Sequence, residues 1–221
     1  MSLRSEYSKR VHFFDLDRTI IEQNTSVAFC RYLCDRGILP RVALIQSFLI
    51  GWRAKVMRHT LDEMHAVLFK RVLKGVRLSD LENAVDDFLR CFLWASIYPP
   101  VFSILRRQQH LGAVVVIMSS SPTFLVQKIA DQFGVDLWMG TEYEVDVHGR
   151  LIGIKQFLDG SKKAQGLQGL SKEYGWRLEE TKAYSDSYHD LPFLLTAGNA
   201  AAVNPDHRLR LLARQRRWEI L

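Results

Sequence analysis

The sequence predicts an α/β protein, with a doubly wound, Rossmann-like parallel sheet that an inserted helical cap interrupts early. Three observations lead to this fold class. Short apolar runs alternate with helical segments from residue 97 onward, as expected where parallel strands are joined by helices. A similar apolar run, Val11–Leu16, lies far upstream. A long stretch of helical periodicity separates the two, so we expect a core domain from residues 1–23 and 97–221 and a cap domain from residues 24–96.

The composition is that of a folded protein and excludes several other classes. Of the 221 residues, 48% are hydrophobic and 24% are charged, which is too apolar for a disordered chain. With 13 Gly and 6 Pro, the chain is neither collagen-like nor of low complexity. The length suits one large domain, or one domain with a smaller insert.

The formal net charge of +6 raises the question of an anionic partner. Much of the excess lies near the C-terminus, where five arginines follow residue 207 and leucines are interleaved with them. This pattern is typical of an amphipathic helix with a solvated basic face. No surface of interleaved aromatic residues accompanies it, so we expect no nucleic-acid partner.

The cysteine content and the apolar segments indicate a cytoplasmic location. Cys30, Cys34 and Cys91 are too few for a disulfide framework and are expected to be reduced thiols. The N-terminal residues contain no apolar segment of the signal-peptide kind. The longest apolar candidate, residues 42–52, falls short of the roughly 20 residues that a membrane-spanning helix needs. We expect no transmembrane segment, while peripheral membrane contact stays open.

The first predicted strand is Val11–Leu16, a buried run of apolar, β-branched and aromatic residues. From Thr25 to Trp94, apolar residues recur at spacings of three and four, which predicts a cap of three or four helices. Breaks are expected near Gly37–Pro40 and at Gly75. Residues 79–82, Ser-Asp-Leu-Glu, resemble a capping box, so we expect their helix to begin there.

The second half of the chain alternates between strands and helices. A helix at Val101–Gly112 is followed by Ala113–Met118, an uninterrupted apolar run that predicts a central strand of a parallel sheet. Two strands around His148-Gly149 predict a hairpin. The other expected elements are a helix at Pro122–Phe133, hairpin strands at Glu142–Val147 and Leu151–Ile154, a helix at Ser161–Tyr174, a strand at Lys182–Ser185, a helix at Asp190–Ala197 and a strand at Ala200–Val203.

Polar residues follow three of the predicted strands. Asp15 and Asp17 end the first, Ser119 the second, and Asp186 and Asp190 follow a third. Because ligands of doubly wound sheets bind at the carboxyl ends of the strands, we expect these side chains to share one edge. Four carboxylates at one edge repel one another unless a cation neutralises them. Their oxygen atoms suit Mg²⁺, which the sequence therefore predicts as the cofactor.

The same residues resemble the motifs of a known family, the haloacid dehalogenase-like (HAD) phosphatases. Residues 13–20, Phe-Phe-Asp-Leu-Asp-Arg-Thr-Ile, are similar to motif I. Ser119 resembles motif II, Lys163 motif III, and Asp186 with Asp190 motif IV. The motifs occur in the right order over nearly the full chain, and the helical insert between motifs I and II resembles the cap of the phosphoserine-phosphatase-like branch, subfamily IB. The resemblance implies a HAD core and a phosphoric monoester hydrolase.

The resemblance assigns roles to the motif residues. Asp15 would be the nucleophile that forms an aspartyl-phosphate, and Asp17 would protonate the leaving oxygen and then deprotonate the attacking water. Ser119 and Lys163 would bind the phosphoryl oxygens and offset the charge of the transition state. Lys162 is the alternative to Lys163 for binding the phosphoryl oxygens. The family spacing favours Lys163, whereas helix phase alone does not distinguish the two lysines.

The resemblance also implies how Mg²⁺ would be held. Its ligands would be the side chains of Asp15 and Asp186 and the backbone carbonyl of Asp17. Asp190 would orient this shell, directly or through water. The carboxylate on the metal stays ionised, whereas its neighbour can carry a proton near neutral pH.

Two positions depart from the family pattern and are candidates for substrate specificity. Arg18 lies beside the nucleophile, where many members have glycine. Asn24 lies nine residues after Asp15, where phosphoserine phosphatases have a glutamate that pairs with the substrate ammonium. We therefore expect phosphoserine to be a poor substrate.

These observations predict a Mg²⁺-dependent phosphatase that acts on a small-molecule phosphomonoester. One alternative is a lipid-phosphate phosphatase of the phosphatidylglycerophosphate type at a membrane surface, which the apolar, Arg-flanked stretch 41–53 motivates. Another is a basic protein that binds its partner without turnover. The complete motif set argues against this last alternative.

Overall fold

The computed structural model of the protein describes residues 10–40, 42, 65–67 and 69–221. Its strands are β1 (Val11–Phe14), β2 (Val114–Pro122), β3 (Leu137–Val145), β4 (Leu151–Gln156), β5 (Thr181–Ser185), β6 (Asn199–Ala202) and β7 (Glu219–Ile220). They form a seven-stranded sheet in the order β4-β3-β2-β1-β5-β6-β7. Neighbouring strands are parallel, except that β3 and β4 form an antiparallel hairpin.

Helices join most of these strands and occur in the described part of the insert after β1. The α-helices are α1 (Thr25–Asp35), α2 (Leu78–Phe92), α3 (Pro99–His110), α4 (Thr123–Gln132), α5 (Gly160–Tyr174), α6 (Leu191–Thr196) and α7 (His207–Arg216). A π-helical turn at Phe69–Leu73 precedes α2, and 3-10 turns occur at Trp94–Ser96, Leu178–Glu180 and Tyr188–Asp190.

Apolar clusters cover both faces of the sheet. Phe14 belongs to a cluster with residues of α1 to α4, whereas its neighbour Phe13 belongs to one with residues of α5, α6 and α7. Successive side chains of a strand point to opposite faces, so β1 is buried on both sides. On one face, the rings of Phe14 and Tyr184 stack with centroids 4.2 Å apart. The predicted fold class, a doubly wound α/β sheet with a helical insert, is confirmed.

Strand β1 lies at the centre of the sheet and sets the position of the acidic residues. Phe14, its last residue, is in register with Ile117 of β2 and Tyr184 of β5. Asp15 therefore comes level with Ser185, the last residue of β5, and the charge of the following Asp186 acts on it. The parallel register thus brings residues that are distant in the chain to one edge, as expected.

The insert contacts the β3–β4 hairpin through its backbone. Gly75 N donates to Leu151 O at 2.8 Å, Leu151 N donates to Val76 O at 2.9 Å, and Leu78 N donates to Gly149 O at 2.9 Å. The expected capping box is wrong, because α2 begins at Leu78 and has no side-chain cap. Backbone carbonyls satisfy two of the first N–H groups instead, since Gly149 O accepts from Leu78 N and Arg77 O accepts from Asp80 N at 3.2 Å.

Some element boundaries differ from those predicted. Strand β2 continues through the serines to Pro122, and β3 begins at Leu137 because its first half pairs with β2. Strand β7 was not predicted, since two residues carry no periodic signal. Apart from residue 42, the stretch 41–53 lies outside the described residues. No helix of the described part of the chain is long and apolar enough to cross a membrane.

Candidate active site

Asp15 is buried at the carboxyl end of β1, where only 5% of it is exposed. Its backbone N–H donates to Tyr184 O at 2.9 Å, which continues the pairing of β1 with β5 by one residue. Its two side-chain oxygens have different donors. Lys163 Nζ donates to Oδ1 at 2.5 Å, and Thr19 Oγ1 donates to Oδ2 at 3.1 Å. The carboxylate is therefore held in one orientation from both sides.

Lys163 lies in the first turn of α5, which Asp159 caps by accepting from Lys162 N. This turn directs the ammonium of Lys163 into the protein, where Nζ also donates to Asp190 Oδ2 at 2.7 Å. The neighbouring Lys162 is exposed, and its Nζ donates to Gln165 Oε1. Of the two candidate lysines, the structure thus brings Lys163 to Asp15.

Asp190 and Asp186 lie in the loop that follows β5. Asp190 ends a 3-10 turn, and its Oδ2 accepts from Ser185 Oγ at 2.7 Å as well as from Lys163. Asp186 lines a cleft of about 400 Å³. The other residues of this cleft are Arg18, Glu22, Tyr98, Asn204 and Asp206. Asp186 therefore connects the buried cluster around Asp15 with the solvent.

Burial and mutual repulsion raise the pKa values of these carboxyl groups. The pKa of Asp15 is raised well above its ordinary value because burial outweighs the attraction of Lys163. The charges of Asp190, Asp186 and Asp17 raise it further. The pKa of Asp186 is raised to about 6, mainly by burial and then by Asp190. A single lysine therefore does not neutralise the cluster.

The donor set at this edge fits Mg²⁺. Two carboxylates and one backbone carbonyl, the ligands that the family resemblance implies, are hard oxygen donors of the kind that Mg²⁺ prefers. Among the described residues, no three His, Cys, Asp or Glu side chains gather as a metal-binding group. The implied set needs two such side chains, Asp15 and Asp186. Around Asp15, the charges of Asp17, Asp186 and Asp190 add to its own, and a divalent cation would offset this negative charge.

Asp17 has quite different partners from Asp15. Its Oδ1 accepts from Thr25 N at 2.5 Å, and Thr25 is the first residue of α1. Its Oδ2 accepts from Ser121 Oγ at 2.7 Å and from Ser119 Oγ at 3.1 Å. A helix N-terminus and two hydroxyl groups thus hold the carboxylate of Asp17, whereas the buried ammonium of Lys163 and the hydroxyl of Thr19 hold that of Asp15.

Ser119 is fully buried near the end of β2. Besides donating to Asp17, its hydroxyl accepts from Ser121 N at 3.0 Å. The polar end of β2 therefore lies beside the acidic end of β1, as predicted. Ser119, Lys163 and the acidic residues Asp15, Asp17, Asp186 and Asp190 are brought to one edge of the sheet.

The two specificity candidates occupy distinct positions. Arg18 has a φ of 61°, in the left-handed region that glycine adopts without strain. Its side chain lies in the cleft with Asp186. Asn24 caps α1, and its Oδ1 accepts from Val27 N at 2.9 Å. The side-chain oxygen of Asn24 is therefore engaged by its own helix.

Four residues that contact the site were given no role of their own in the sequence-based prediction: Thr19, Thr25, Ser121 and Ser185. Thr19 lies four residues after Asp15, within reach of one tight turn, and Ser121 belongs to a run of three serines. These local signals could have identified both residues. Thr25 contributes a backbone N–H, and Ser185 reaches Asp190 only because of the turn after β5, so their side-chain identities carried no signal.

Comparisons with known proteins show which family the chain resembles. The family model for haloacid dehalogenase-like hydrolases matches residues 12–195. A phosphoserine phosphatase of Mycobacterium tuberculosis is 30% identical over 217 residues, covering 94% of this chain and 69% of that protein. A histidinol-phosphatase of Neisseria meningitidis is 27% identical over 225 residues, covering 96% and 98%.

The solved structures include a substrate-bound phosphoserine phosphatase with the same fold. Its TM-score is 0.71 at 20% sequence identity, and the match covers 93% of this chain and 91% of that chain. The chain therefore belongs to the haloacid dehalogenase-like hydrolase family, in its phosphoserine-phosphatase-like branch, and is an enzyme of the phosphatase class.

Proposed function

We propose that the protein is a Mg²⁺-dependent phosphomonoester hydrolase that forms an aspartyl-phosphate on Asp15 and acts on a small phosphorylated metabolite. The observation that carries this proposal is the contrast between the two carboxylates of motif I. Asp15 contacts the buried ammonium of Lys163, whereas Asp17 accepts from hydroxyl and amide donors. A nucleophile and a proton-transfer group need such different surroundings.

Asp15 is the nucleophile of this proposal. One of its oxygens bonds to phosphorus while the bond between phosphorus and the ester oxygen breaks, which leaves the phosphoryl group on Asp15. Thr19 and Lys163 orient the carboxylate before the substrate arrives. Asp15, Asp186 and the backbone carbonyl of Asp17 would hold Mg²⁺, which would supply positive charge to offset that of the phosphoryl group.

Asp17 transfers the proton in both halves of the reaction. It donates a proton to the ester oxygen as the alcohol leaves, and it then removes a proton from the water that hydrolyses the aspartyl-phosphate. Its position two residues after Asp15, with separate donors, allows both steps without displacing the nucleophile.

Ser119 and Lys163 bind the phosphoryl oxygens. Both side chains are buried hydrogen-bond donors beside Asp15 and Asp17. A bound phosphoryl group would accept from them in place of part of their present contacts. Preorganised donors of this kind stabilise the charge of the transition state more than solvent does.

The substrate is a small phosphate ester, and the site argues against phosphoserine as the preferred one. Phosphoserine and histidinol phosphate, for which two relatives are named, both carry an amino group near the ester. In this chain the position of the expected glutamate is Asn24, whose oxygen caps α1. An uncharged, engaged side chain offers no charge to pair with an ammonium.

The alternative substrate class, a lipid phosphate at a membrane surface, has no support from the described residues. The stretch that motivated it, 41–53, lies outside them except for residue 42. A binding protein without turnover is also disfavoured, since the chain belongs to the phosphatase branch of its family.

Trapping the covalent intermediate tests the proposed function. Purified protein is screened with Mg²⁺ against phosphoserine, histidinol phosphate, neutral sugar and glycerol phosphates, and 4-nitrophenyl phosphate. The best substrate is then used in rapid-quench experiments with intact-mass measurement. We expect a mass increase of one phosphoryl group on the wild type and none on Asp15→Asn. Turnover by Asp15→Asn at the wild-type rate would overturn the assignment of the nucleophile.

A further inference from the structure

The carboxylate of Asp17 is tied to helix α1 through two separate routes. The first is direct, from Thr25 N to Oδ1 at 2.5 Å. The second runs through two hydroxyl groups: Ser121 Oγ lies 2.7 Å from Asp17 Oδ2, and Ser26 Oγ lies 2.7 Å from Ser121 Oγ. Because Thr25 and Ser26 are the first two residues of α1, the insert contacts Asp17 at the point where it leaves the core.

The direction of the second route follows from proton counting. A serine hydroxyl donates one hydrogen bond, and an ionised carboxylate only accepts. When Asp17 is ionised, Ser121 uses its single proton on Oδ2, so Ser26 must donate to Ser121. The two hydroxyl groups therefore form an ordered chain that ends on Asp17. Such chains polarise their members, which makes the bond to the carboxylate sensitive to Ser26 as well.

Other contacts hold α1 in place, so the two serines are not needed for its packing. Phe29 of α1 packs against Phe88 and Phe124, with ring centroids 5.1 Å and 6.1 Å apart. Leu33 is also buried in this cluster. Loss of the Ser121 hydroxyl removes a contact to Asp17, loss of the Ser26 hydroxyl removes a contact to Ser121, and both leave the apolar docking of the helix intact.

We propose that Ser121 and Ser26 are positioning residues that align Asp17 for proton transfer and link this alignment to the docking of α1 on the core. The proposal deepens the proposed function and rests on the role of Asp17 as the general acid. Ser121 contacts Asp17 directly, and Ser26 acts through Ser121. With α1 docked, Asp17 is held at both oxygens; displacement of α1 would remove the N–H donor of Thr25 and the support of Ser26.

The test compares substrates that differ in their need for a proton. An alkyl phosphate leaves only when its oxygen is protonated, whereas 4-nitrophenolate leaves as an anion. The value of kcat/KM reports the first step, in which Asp17 acts as the acid. We expect Ser121→Ala to lower kcat/KM for an alkyl phosphate by about 10- to 100-fold, the usual worth of a hydrogen bond to a charged group, and to affect the nitrophenyl ester much less.

Ser26→Ala should show the same selectivity with a smaller loss, and Ser26→Thr, which keeps the hydroxyl, should restore the wild-type ratio. The Ser26→Ala/Ser121→Ala double variant should be no worse than Ser121→Ala alone, because Ser26 acts through Ser121. Ser120→Ala is the matched control. Its hydroxyl donates to Leu158 O, so its loss should change both substrates equally.

Two outcomes overturn the proposal: equal losses with alkyl and aryl substrates for Ser121→Ala, or additive losses in the double variant. Asp17→Asn, measured alongside, separates this failure from failure of the proposed function. If Asp17→Asn discriminates between the two esters and Ser121→Ala does not, only the positioning role is wrong. If Asp17→Asn does not discriminate, the acid role itself is wrong and the positioning role falls with it.

Discussion

Lys163 Nζ lies 2.5 Å from Asp15 Oδ1, although the two residues are 148 positions apart in the chain. The same ammonium lies 2.7 Å from Asp190 Oδ2, and all three side chains are almost completely buried. The charges of Asp15 and Asp190 raise the pKa of Lys163 even though burial acts against its charged form. Lys163 is therefore a charged group that holds two carboxylates together at the core of the site.

Removal of this ammonium should destabilise the fold as well as abolish turnover. Lys163→Met keeps much of the side-chain volume but leaves Asp15 and Asp190 buried without their shared donor. We expect the free energy of unfolding to fall by about 3 kcal/mol, as is typical when one partner of a buried ion pair is lost. Urea denaturation monitored by circular dichroism measures this change.

Lys162→Met is the control for that experiment. The side chain of Lys162 is exposed and contacts Gln165, so the free energy of unfolding of this variant should stay within about 0.5 kcal/mol of the wild type. Equal stability of the two variants would show that the contacts of Lys163 do not contribute as inferred.

Asp17→Asn should separate the two steps of the reaction. With an alkyl phosphate, loss of the general acid should slow the first step by about 10²–10⁴-fold. With a nitrophenyl phosphate, the first step should suffer much less, while the second step still lacks its base. Stopped flow should therefore show a burst of nitrophenolate, and intact-mass analysis should find phosphate on Asp15. Equal loss with both esters and no burst would contradict this division of work.

Mg²⁺ should stabilise the protein in a pH-dependent manner. The pKa of Asp186 is about 6 in the folded protein, above the ordinary value of 3.8, so the folded metal-free protein holds this proton more tightly than the unfolded chain. Through this group, the free energy of unfolding without metal should fall as the pH rises from about 4 to about 6. The ionised form binds the cation, so Mg²⁺ should raise the melting temperature more near pH 8 than near pH 5.

Asp186→Asn is the matching variant for the metal. It should be at least as stable as the wild type without Mg²⁺, because a buried charge is gone, and Mg²⁺ should no longer raise its melting temperature. Excess chelator should abolish wild-type activity on an aryl phosphate, and added Mg²⁺ should restore it. Full activity in the chelator would exclude the proposed cofactor.

Asn24 should affect both helix stability and substrate preference. Asn24→Ala removes the cap of α1 and should cost about 1 kcal/mol of stability. Asn24→Asp keeps a capping oxygen and adds a charge, so it should retain stability and raise kcat/KM for phosphoserine. Asn24→Glu adds the same charge with a poorer cap and should lose stability. A wild type that prefers phosphoserine to every other ester would show that the role of this position has been misjudged.

Several features of the fold could be predicted because they depend on local pattern. The apolar run before Asp15 and the run before Ser119 both form buried parallel strands. Because burial depends on the hydrophobic pattern of a short segment, that pattern predicts the buried strand without reference to the rest of the chain. The N-cap of α1 at Asn24 is equally local, since asparagine before a helical pattern is a common N-cap, although Asn24 was predicted only as a specificity residue.

Other predictions failed because the partner was distant in the chain. A helix start at Ser79–Glu82 followed the capping rules, but the carbonyl of Gly149 satisfies Leu78 N instead. Similarly, β3 begins at Leu137 because β2 offers an edge to pair with. A backbone N–H donates to whichever acceptor the fold brings near it, and the local sequence does not indicate which acceptor that is.

By itself, the sequence determined the fold class and the order of the motifs, since both depend on periodicity and on residue type at strand ends. It also placed the four acidic residues at one edge, because parallel strands share a direction. Only the tertiary structure decided that Lys163 rather than Lys162 reaches Asp15, and that Asp17 rests on α1 through Thr25. The family spacing favoured Lys163, but helix phase does not distinguish adjacent lysines, and burial does so only once helix α5 has packed against the sheet.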